Sequence, residues 1–215
     1  MNYNIFEIND LDDIQEIELY GSKLYIKDNF YKYPNLVLNF IELHQSEIWK
    51  QHEKPSYNSV YFEERRHHIQ VSEILNISSN LSKIVNQNPV VQYTLATNYI
   101  KFLDKNFNDY RNNYWWPHKD MGYTAIIYFD NFDEEIPGTN LYKKVKPYNF
   151  QDYPEHYCPW INKEKFEVIH SFKSKFNRLV MFDGNKFLHN MAIEDDRFFY
   201  NIFRKNQVIF FTEEF

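Results

Sequence analysis

Hydrophobic and polar positions follow different patterns in the two halves of the chain. Residues 23–28 alternate as a β-strand does, and the apolar positions after Pro34 then recur at helical spacing. A second helical pattern runs from about residue 71 to residue 85, with a broad apolar stripe typical of a helix that packs on a sheet. Residues 1–88 are therefore expected to form helical and strand support for the second half of the chain.

From residue 89 onward the pattern changes to short β-type runs separated by Asn, Asp, Gly and Pro. These runs occupy residues 90–95, 123–129, 166–169, 178–182 and 198–203. Several short strands after two helices favour antiparallel sheets over a parallel sheet. We predict an α+β fold in which residues 89–211 form a double-stranded β-helix, or jelly roll, buttressed by the N-terminal helices. No repeat or linker divides the chain, so residues 1–215 are expected to be a single domain.

Composition narrows the classes of partner. The chain carries 24 basic and 30 acidic side chains, a formal net charge of −6, which disfavours electrostatic binding to nucleic acid or to anionic membranes. Cys158 is the single cysteine and cannot form an internal disulfide. The first residues lack the pattern of a secretory signal, and no apolar run has the length of a membrane span. We therefore expect a soluble, cytoplasmic protein.

Three residues in the second half have the types and spacing of a metal site. His118 and Asp120 are two residues apart, so on an extended strand their side chains project from one face. His189, which comes after the predicted strand and turn at residues 178–184, is the candidate third ligand. Two imidazoles and one carboxylate on one face of an octahedron suit non-haem Fe(II), with positions left open for a co-substrate and dioxygen.

An arginine comes after His189 on a predicted aromatic strand. Arg197 lies eight residues after His189, and an arginine that enters an apolar barrel needs an anionic partner. A dicarboxylate would bind such a guanidinium through two hydrogen bonds. Arg204 has similar aromatic neighbours and is the rival candidate, but the spacing from His189 favours Arg197.

Taken in order, these segments resemble the Fe(II) and 2-oxoglutarate-dependent oxygenases of the prolyl-4-hydroxylase-like branch. The resemblance extends over roughly residues 89–211 and consists of His118-Lys-Asp120, Ala125 to Asp130, Gly138-Thr139, Asn177 to Phe182, His189 and Asp196-Arg197. The ordered set is much more specific than any one of its members. The chain departs from the family at Pro137, where the family often has a second glycine before the threonine.

The resemblance implies a site and an activity. His118, Asp120 and His189 would bind Fe(II), Arg197 would pair with the distal carboxylate of 2-oxoglutarate, and Tyr128 would help to hold that carboxylate. With dioxygen, 2-oxoglutarate would be converted to succinate and carbon dioxide while a substrate is oxidised. An aspartate among the ligands favours hydroxylation over halogenation in this family. The acidic charge balance favours a small-molecule or peptide substrate, and the sequence does not indicate the oligomeric state.

Other interpretations of the same residues stay open. A cupin-like metal enzyme could use the ligands without 2-oxoglutarate, and a non-catalytic jelly-roll binding module would have structural histidines instead. Residues 142–165 form an aromatic-rich excursion that could be a substrate lid. Trp115 and Trp116 either line the site entrance or belong to the core.

Two further groups of potential metal ligands are weaker candidates. The neighbours His67 and His68 lie in a charged run that favours a solvated face, because adjacent residues point apart on a regular element. His156 and Cys158 lack the partner pair that a zinc site needs.

Overall fold

The computed structural model describes residues 4–43, 62–68, 72–86, 90–102, 110–147, 160–195, 197 and 204–212. Within these residues the chain forms two α-helices, α1 (Pro34–Leu43) and α2 (Ser72–Ile84). Neither helix in this part of the chain combines the length and the apolar character needed to cross a bilayer. Helix α1 begins at a proline, whose fixed φ angle and missing N–H suit the first turn of a helix.

Most of the described chain is β-structure. Its strands are β1 (Gln15–Leu19), β2 (Ser22–Lys27), β3 (Phe62–His68), β4 (Val90–Phe102), β5 (Asn113–Trp115), β6 (Tyr123–Tyr128), β7 (Ile136–Lys144), β8 (Trp160–Asn162), β9 (Phe166–Ser174), β10 (Leu179–Asp183), β11 (Leu188–Met191) and β12 (Arg204–Thr212).

Every strand pair among the described residues is antiparallel. Seven strands form one sheet in the order β1-β2-β10-β6-β12-β4-β3, three form a second sheet in the order β11-β7-β9, and β5 pairs with β8 in a short ribbon. The described strands therefore form three separate sheets and no closed barrel. With two helices beside these sheets, the predicted α+β class is confirmed.

The large sheet is covered on both faces. One face packs under the two helices, in a cluster that joins residues of α1 and α2 to alternate residues of the central strands: Val37, Ile41, Ile77, Leu81, Ala125, Ile127, Leu179, Met181, Ile209 and Phe211. The opposite face meets the three-stranded sheet in a second cluster, which contains Ile126, Tyr128, Val180, Phe182, Leu141 and Phe172. Because successive residues of a strand point to opposite faces, β6 is apolar at nearly every position and buried on both sides.

Local pattern located many of these elements. The strand predicted at residues 23–28 is β2, the two predicted helices are α1 and α2, and the runs at 123–129, 166–169 and 178–182 correspond to β6, β9 and β10. The run at 90–95 begins the longer strand β4. The strand predicted at 198–203 lies outside the described residues, and β12, which begins at Arg204, was not predicted.

Strands from the first part of the chain belong to the large sheet. Strands β1, β2 and β3 all precede residue 89, and they belong to the same seven-stranded sheet as the later strands. Strand β2 lies between β1 and β10, so it is an interior strand of that sheet. The first 88 residues therefore supply strands to the large sheet as well as the two helices. A hairpin near the N-terminus can pair with a strand much later in the chain, and no local pattern records such a pairing.

Candidate metal centre

An isolated β-bridge places His118 and His189 opposite each other. The amide of His118 donates to the carbonyl of His189 over 3.1 Å, and the amide of His189 donates back to the carbonyl of His118 over 2.8 Å. Residues opposite each other in an antiparallel pair project their side chains from the same face. The two imidazole rings consequently lie side by side, with their centroids 4.7 Å apart.

Asp120 completes the group. Its amide donates to the carbonyl of Gly184 over 3.2 Å, which fixes the backbone against the turn before β11. Its Oδ2 lies 2.9 Å from Nε2 of His189, and its Oδ1 lies 3.7 Å from Nε2 of His118. The structure thus brings together the three residues that the sequence predicts as ligands, each with a ligand atom within 4.8 Å of the others.

These distances fit a metal ion. Nitrogen and oxygen ligands bind transition metals at about 2.1 Å, so two neighbouring ligands of one ion lie roughly 3 Å apart. The contact of 2.9 Å between Asp120 and His189 and that of 3.7 Å between Asp120 and His118 are close to this spacing. The donor set of two imidazoles and one carboxylate could hold a divalent ion and leave further coordination positions open.

Backbone carbonyls orient both rings. Nδ1 of His118 lies 3.0 Å from the carbonyl of Trp116, and Nδ1 of His189 lies 3.1 Å from the carbonyl of Phe187. A carbonyl oxygen can only accept, so each Nδ1 is the donor and each Nε2 faces Asp120. Hydrogen bonds of this kind fix the orientation and the tautomer of histidines that bind metals.

The electrostatics of the site keep Asp120 ionised. Burial opposes the charge of this carboxylate, but the hydrogen bond with His189 and the proximity of both imidazoles prevail, and the pKa of Asp120 falls below its ordinary value. Side-chain exposure is 24% for His118, 22% for Asp120 and 5% for His189. One side of the group is therefore open to solvent, while His189 is enclosed.

Two glycines make the turn around Asp120 possible. Gly122 has φ +76, and a Cβ there would lie 2.2 Å from the carbonyl oxygen of Phe211. A Cβ at Gly184 would lie 2.6 Å from the hydroxyl of Thr124 and 3.1 Å from Cβ of Asp120. Only glycine fits these positions without displacing the neighbours of the carboxylate.

Arg197 does not enter the apolar core. Its guanidinium binds the carboxylate of Asp195 through Nε, 2.8 Å from Oδ2, and Nη1 lies 3.2 Å from a carboxylate oxygen of Glu134. Its side chain is 27% exposed, and the residue lies in a turn. The expectation that Arg197 lies on a strand and enters an apolar barrel is not met, because Asp195 and Glu134 bind its guanidinium near the surface.

Arg204 occupies the interior position instead. It is the first residue of β12, is 1% exposed, and lies on the same sheet face as Tyr128, since Asn206 is the residue opposite Tyr128. Its guanidinium carbon is 5.9 Å from the centroid of the Tyr128 ring. Nη1 donates to the carbonyl of Ala192 over 3.3 Å, and Nη2 donates to the carbonyl of Gly138.

Buried polar groups surround this arginine. The hydroxyl of Tyr128 lies 2.7 Å from that of Thr139, and burial raises the pKa of Tyr128 to about 12. Oδ2 of Asp130 lies 3.9 Å from Nε of Arg204. The Asp130 carboxylate also accepts hydrogen bonds from the backbone amide of Lys205 and from the hydroxyl of Ser174. Burial raises the pKa of Asp130 and lowers that of Arg204, and each charge partly offsets the penalty of the other.

Local pattern contains no signal that would have identified Arg204. Strand β12 begins with four polar residues, and the face of Arg204, Asn206 and Val208 is no more apolar than the opposite face, so alternation does not show that Arg204 points inward. The spacing from His189 favoured Arg197, whereas the residue in the interior is Arg204.

The aromatic excursion at residues 142–165 divides into several parts. Tyr142 belongs to β7, and Trp160 begins β8 and packs edge-on against Trp115, with the ring centroids 5.4 Å apart. Trp115 is a core residue at 1% exposure, whereas Trp116 stacks on His118 at 4.7 Å. Residues 148–159 of the predicted lid, which include His156 and Cys158, lie outside the described residues. His67 and His68 lie on β3, which pairs with β4.

No model of a known protein family matches this sequence, and no curated protein is detectably similar to it. The function is therefore inferred from the site itself.

Proposed function

We propose that the protein is an Fe(II) and 2-oxoglutarate-dependent dioxygenase of the prolyl-4-hydroxylase-like type that hydroxylates a small molecule or a peptide. One observation carries the proposal. Two histidines and one aspartate converge on a common centre, and a buried arginine of the large sheet donates to the carbonyl of Ala192, three residues after one of those histidines. Metal ligands alone are compatible with many enzymes, whereas the added interior guanidinium favours a site for an anionic co-substrate.

The packing of the sheets supports a jelly-roll interpretation. In a jelly roll two antiparallel sheets face each other across an apolar interior. Here Tyr128 and Phe182 of the large sheet share one cluster with Leu141 and Phe172 of the small sheet. His189 belongs to the small sheet, so the metal ligands lie at one margin of this interior.

Arg204, in preference to Arg197, is the residue that we propose for the distal carboxylate. Arg204 binds the carbonyl of Ala192, which is three residues beyond His189 along the chain. Three residues of extended chain span roughly 10 Å, a separation on the scale of a small organic dicarboxylate and its contacts. Tyr128 and Thr139 contribute hydroxyl groups beside the guanidinium.

The residues have distinct roles in the proposed reaction. His118, Asp120 and His189 would hold Fe(II) and leave positions open on its solvent-facing side. Bound iron, together with 2-oxoglutarate and dioxygen, would supply the oxidising chemistry that converts a substrate C–H bond to C–OH and releases succinate and carbon dioxide. Arg204 and Tyr128 orient the co-substrate through its distal carboxylate, and the apolar cluster around them excludes water from its carbon chain.

An anaerobic titration tests the proposal. Fe(II) and 2-oxoglutarate are added separately and together, and the visible absorption spectrum is recorded. We expect a charge-transfer band only when both are present. Folded protein that binds Fe(II) but gives no band with 2-oxoglutarate would favour a metal enzyme of the cupin-like kind, and folded protein that binds no metal would favour a binding module.

Two arginine variants refine the test. Arg204→Met should weaken 2-oxoglutarate binding by at least tenfold, because a charge-assisted contact to a carboxylate is worth about 1.5–3 kcal/mol. Arg197→Met is the matched control and should leave the affinity unchanged, since Arg197 binds Asp195 and Glu134. The assignment of Arg204 is wrong if the two variants exchange these effects.

A further inference from the structure

Trp116 contacts His118 through both its backbone and its side chain. Its carbonyl accepts from Nδ1 of His118 over 3.0 Å and also from the side-chain amide of Asn190. Its indole ring stacks on the His118 ring with centroids 4.7 Å apart and an interplanar angle of 23°. One residue therefore holds this imidazole by its edge and by its face.

The backbone of Trp116 is in an unfavourable conformation. Its φ angle is +21°, a region that large side chains rarely adopt, and the residue precedes Pro117, which restricts it further. Such a conformation persists only where the surrounding packing determines it. Here the indole packs against two apolar clusters, one containing Trp115 and Trp160 and the other containing Tyr142 and Leu188. Packing of the side chain thus fixes the carbonyl that orients His118.

We propose that Trp116 is a positioning residue that prepares His118 for the metal ion. This inference rests on the proposed function, because it requires the site to bind a divalent metal. Coordination through Nε2 withdraws electron density from the imidazole, and the electron-rich face of an indole favours a ring that has become more positive. The same residue therefore fixes the direction of Nε2 and stabilises the metal-bound form of the ring.

His189 is held differently by the described residues around it. Its Nδ1 donates to the carbonyl of Phe187, and its ring meets Phe182 edge-on at an interplanar angle of 67°. A loss of Trp116 is therefore expected to affect the two histidines unequally. This asymmetry separates a positioning role from a general loss of stability, which would affect both rings.

Titration with Co(II) alone, without co-substrate, tests the inference. Trp116→Leu removes the ring and Trp116→Phe keeps a smaller one. Phe6→Leu is the matched control, because Phe6 is a buried aromatic residue that packs in the separate cluster under the helices. We expect Trp116→Leu to weaken Co(II) binding by about tenfold or more, Trp116→Phe to weaken it less, and Phe6→Leu to leave it unchanged. Thermal unfolding of each variant records its stability independently.

Proton NMR of the Co(II) forms supplies the second measurement. Each Nδ1–H of a ligand histidine should give a shifted, exchangeable resonance. In Trp116→Leu the His118 resonance should exchange faster while that of His189 persists. Should Trp116→Leu fail to fold, Trp116→Phe decides the matter by the same two measurements.

The possible failures are distinguishable. If the wild-type protein binds Co(II), and the folded Trp116 variants bind it equally well with both resonances intact, the inference is wrong and the proposed metal site stands. If the wild-type protein does not bind Co(II), or if His118→Ala and His189→Ala leave binding unchanged, the proposed metal site is wrong and the inference falls with it.

Discussion

Replacement of Gly184 by alanine should perturb stability and metal binding together. The added Cβ would lie 2.6 Å from the hydroxyl oxygen of Thr124, 3.0 Å from the carbonyl oxygen of Gly122 and 3.1 Å from Cβ of Asp120. These distances are shorter than ordinary contacts, so the turn or its neighbours must move. Overpacking of this kind destabilises a protein by about 1–3 kcal/mol. Because Asp120 is among the displaced groups, Co(II) affinity should also fall, by about tenfold.

Two further variants isolate the cause. In Gly21→Ala the added Cβ would lie 3.9 Å from its nearest neighbour, but the backbone φ is +68. This variant should therefore lose about 1 kcal/mol of unfolding free energy through backbone strain and keep the Co(II) affinity of the wild type. Thr124→Ala removes the nearest obstructing oxygen. If crowding against that oxygen is the cause, the double variant Gly184→Ala/Thr124→Ala should lose less stability than the two single losses together.

Chemical unfolding in urea gives the free energies, and Co(II) titration gives the affinities. A Gly184→Ala protein with the stability and the Co(II) affinity of the wild type would refute the reasoning. Loss of stability without loss of affinity would show that Asp120 is held by contacts other than those at the turn.

Two other predictions concern groups outside the metal centre. The pKa of Asp28 is lowered from 3.8 to about 2, chiefly by its hydrogen bond with Arg178. The ionised carboxylate therefore stabilises the native state above pH 3.8, and this stabilisation is lost as the pH falls toward 2. In urea unfolding between pH 5 and pH 2, the free energy of unfolding should fall less steeply with pH for Asp28→Asn than for the wild type. Equal pH dependence of the two proteins would contradict the prediction. The hydroxyl of Tyr31 donates to the fully buried side chain of Gln207. Tyr31→Phe should therefore lower the unfolding free energy by about 1–3 kcal/mol, because the buried oxygen of Gln207 loses the Tyr31 hydroxyl as its donor. A variant as stable as the wild type would contradict this prediction.

Local sequence pattern was sufficient for much of the secondary structure. The alternation at residues 23–28 and the apolar stripe at residues 71–85 reflect which faces of β2 and α2 meet the core, and each depends on neighbours within a few residues. The same pattern did not reveal β12, which begins with four polar residues before its apolar positions. Nor did it indicate that β2 would pair with β10, because pairing depends on the register between distant strands.

The candidate site shows the same division. The types and close spacing of His118 and Asp120 were visible in the sequence, and they were sufficient to propose a metal-binding carboxylate and imidazole. The choice between the two arginines was not visible, because both have aromatic residues nearby. Asp195, only two residues away, binds Arg197 in a turn, whereas Arg204 begins a strand that runs through the interior.

The sequence by itself determined the chemistry that this chain can offer: imidazole and carboxylate ligands, an arginine, and apolar faces with helical and strand periods. Only the tertiary structure decided which of these groups meet. The bridge between His118 and His189 joins residues far apart in the chain, and the face of the sheet on which Arg204 lies is set by the pairing of β12 with β6. Both depend on strand register, which is set by the packing of the whole sheet and is not encoded within any one segment.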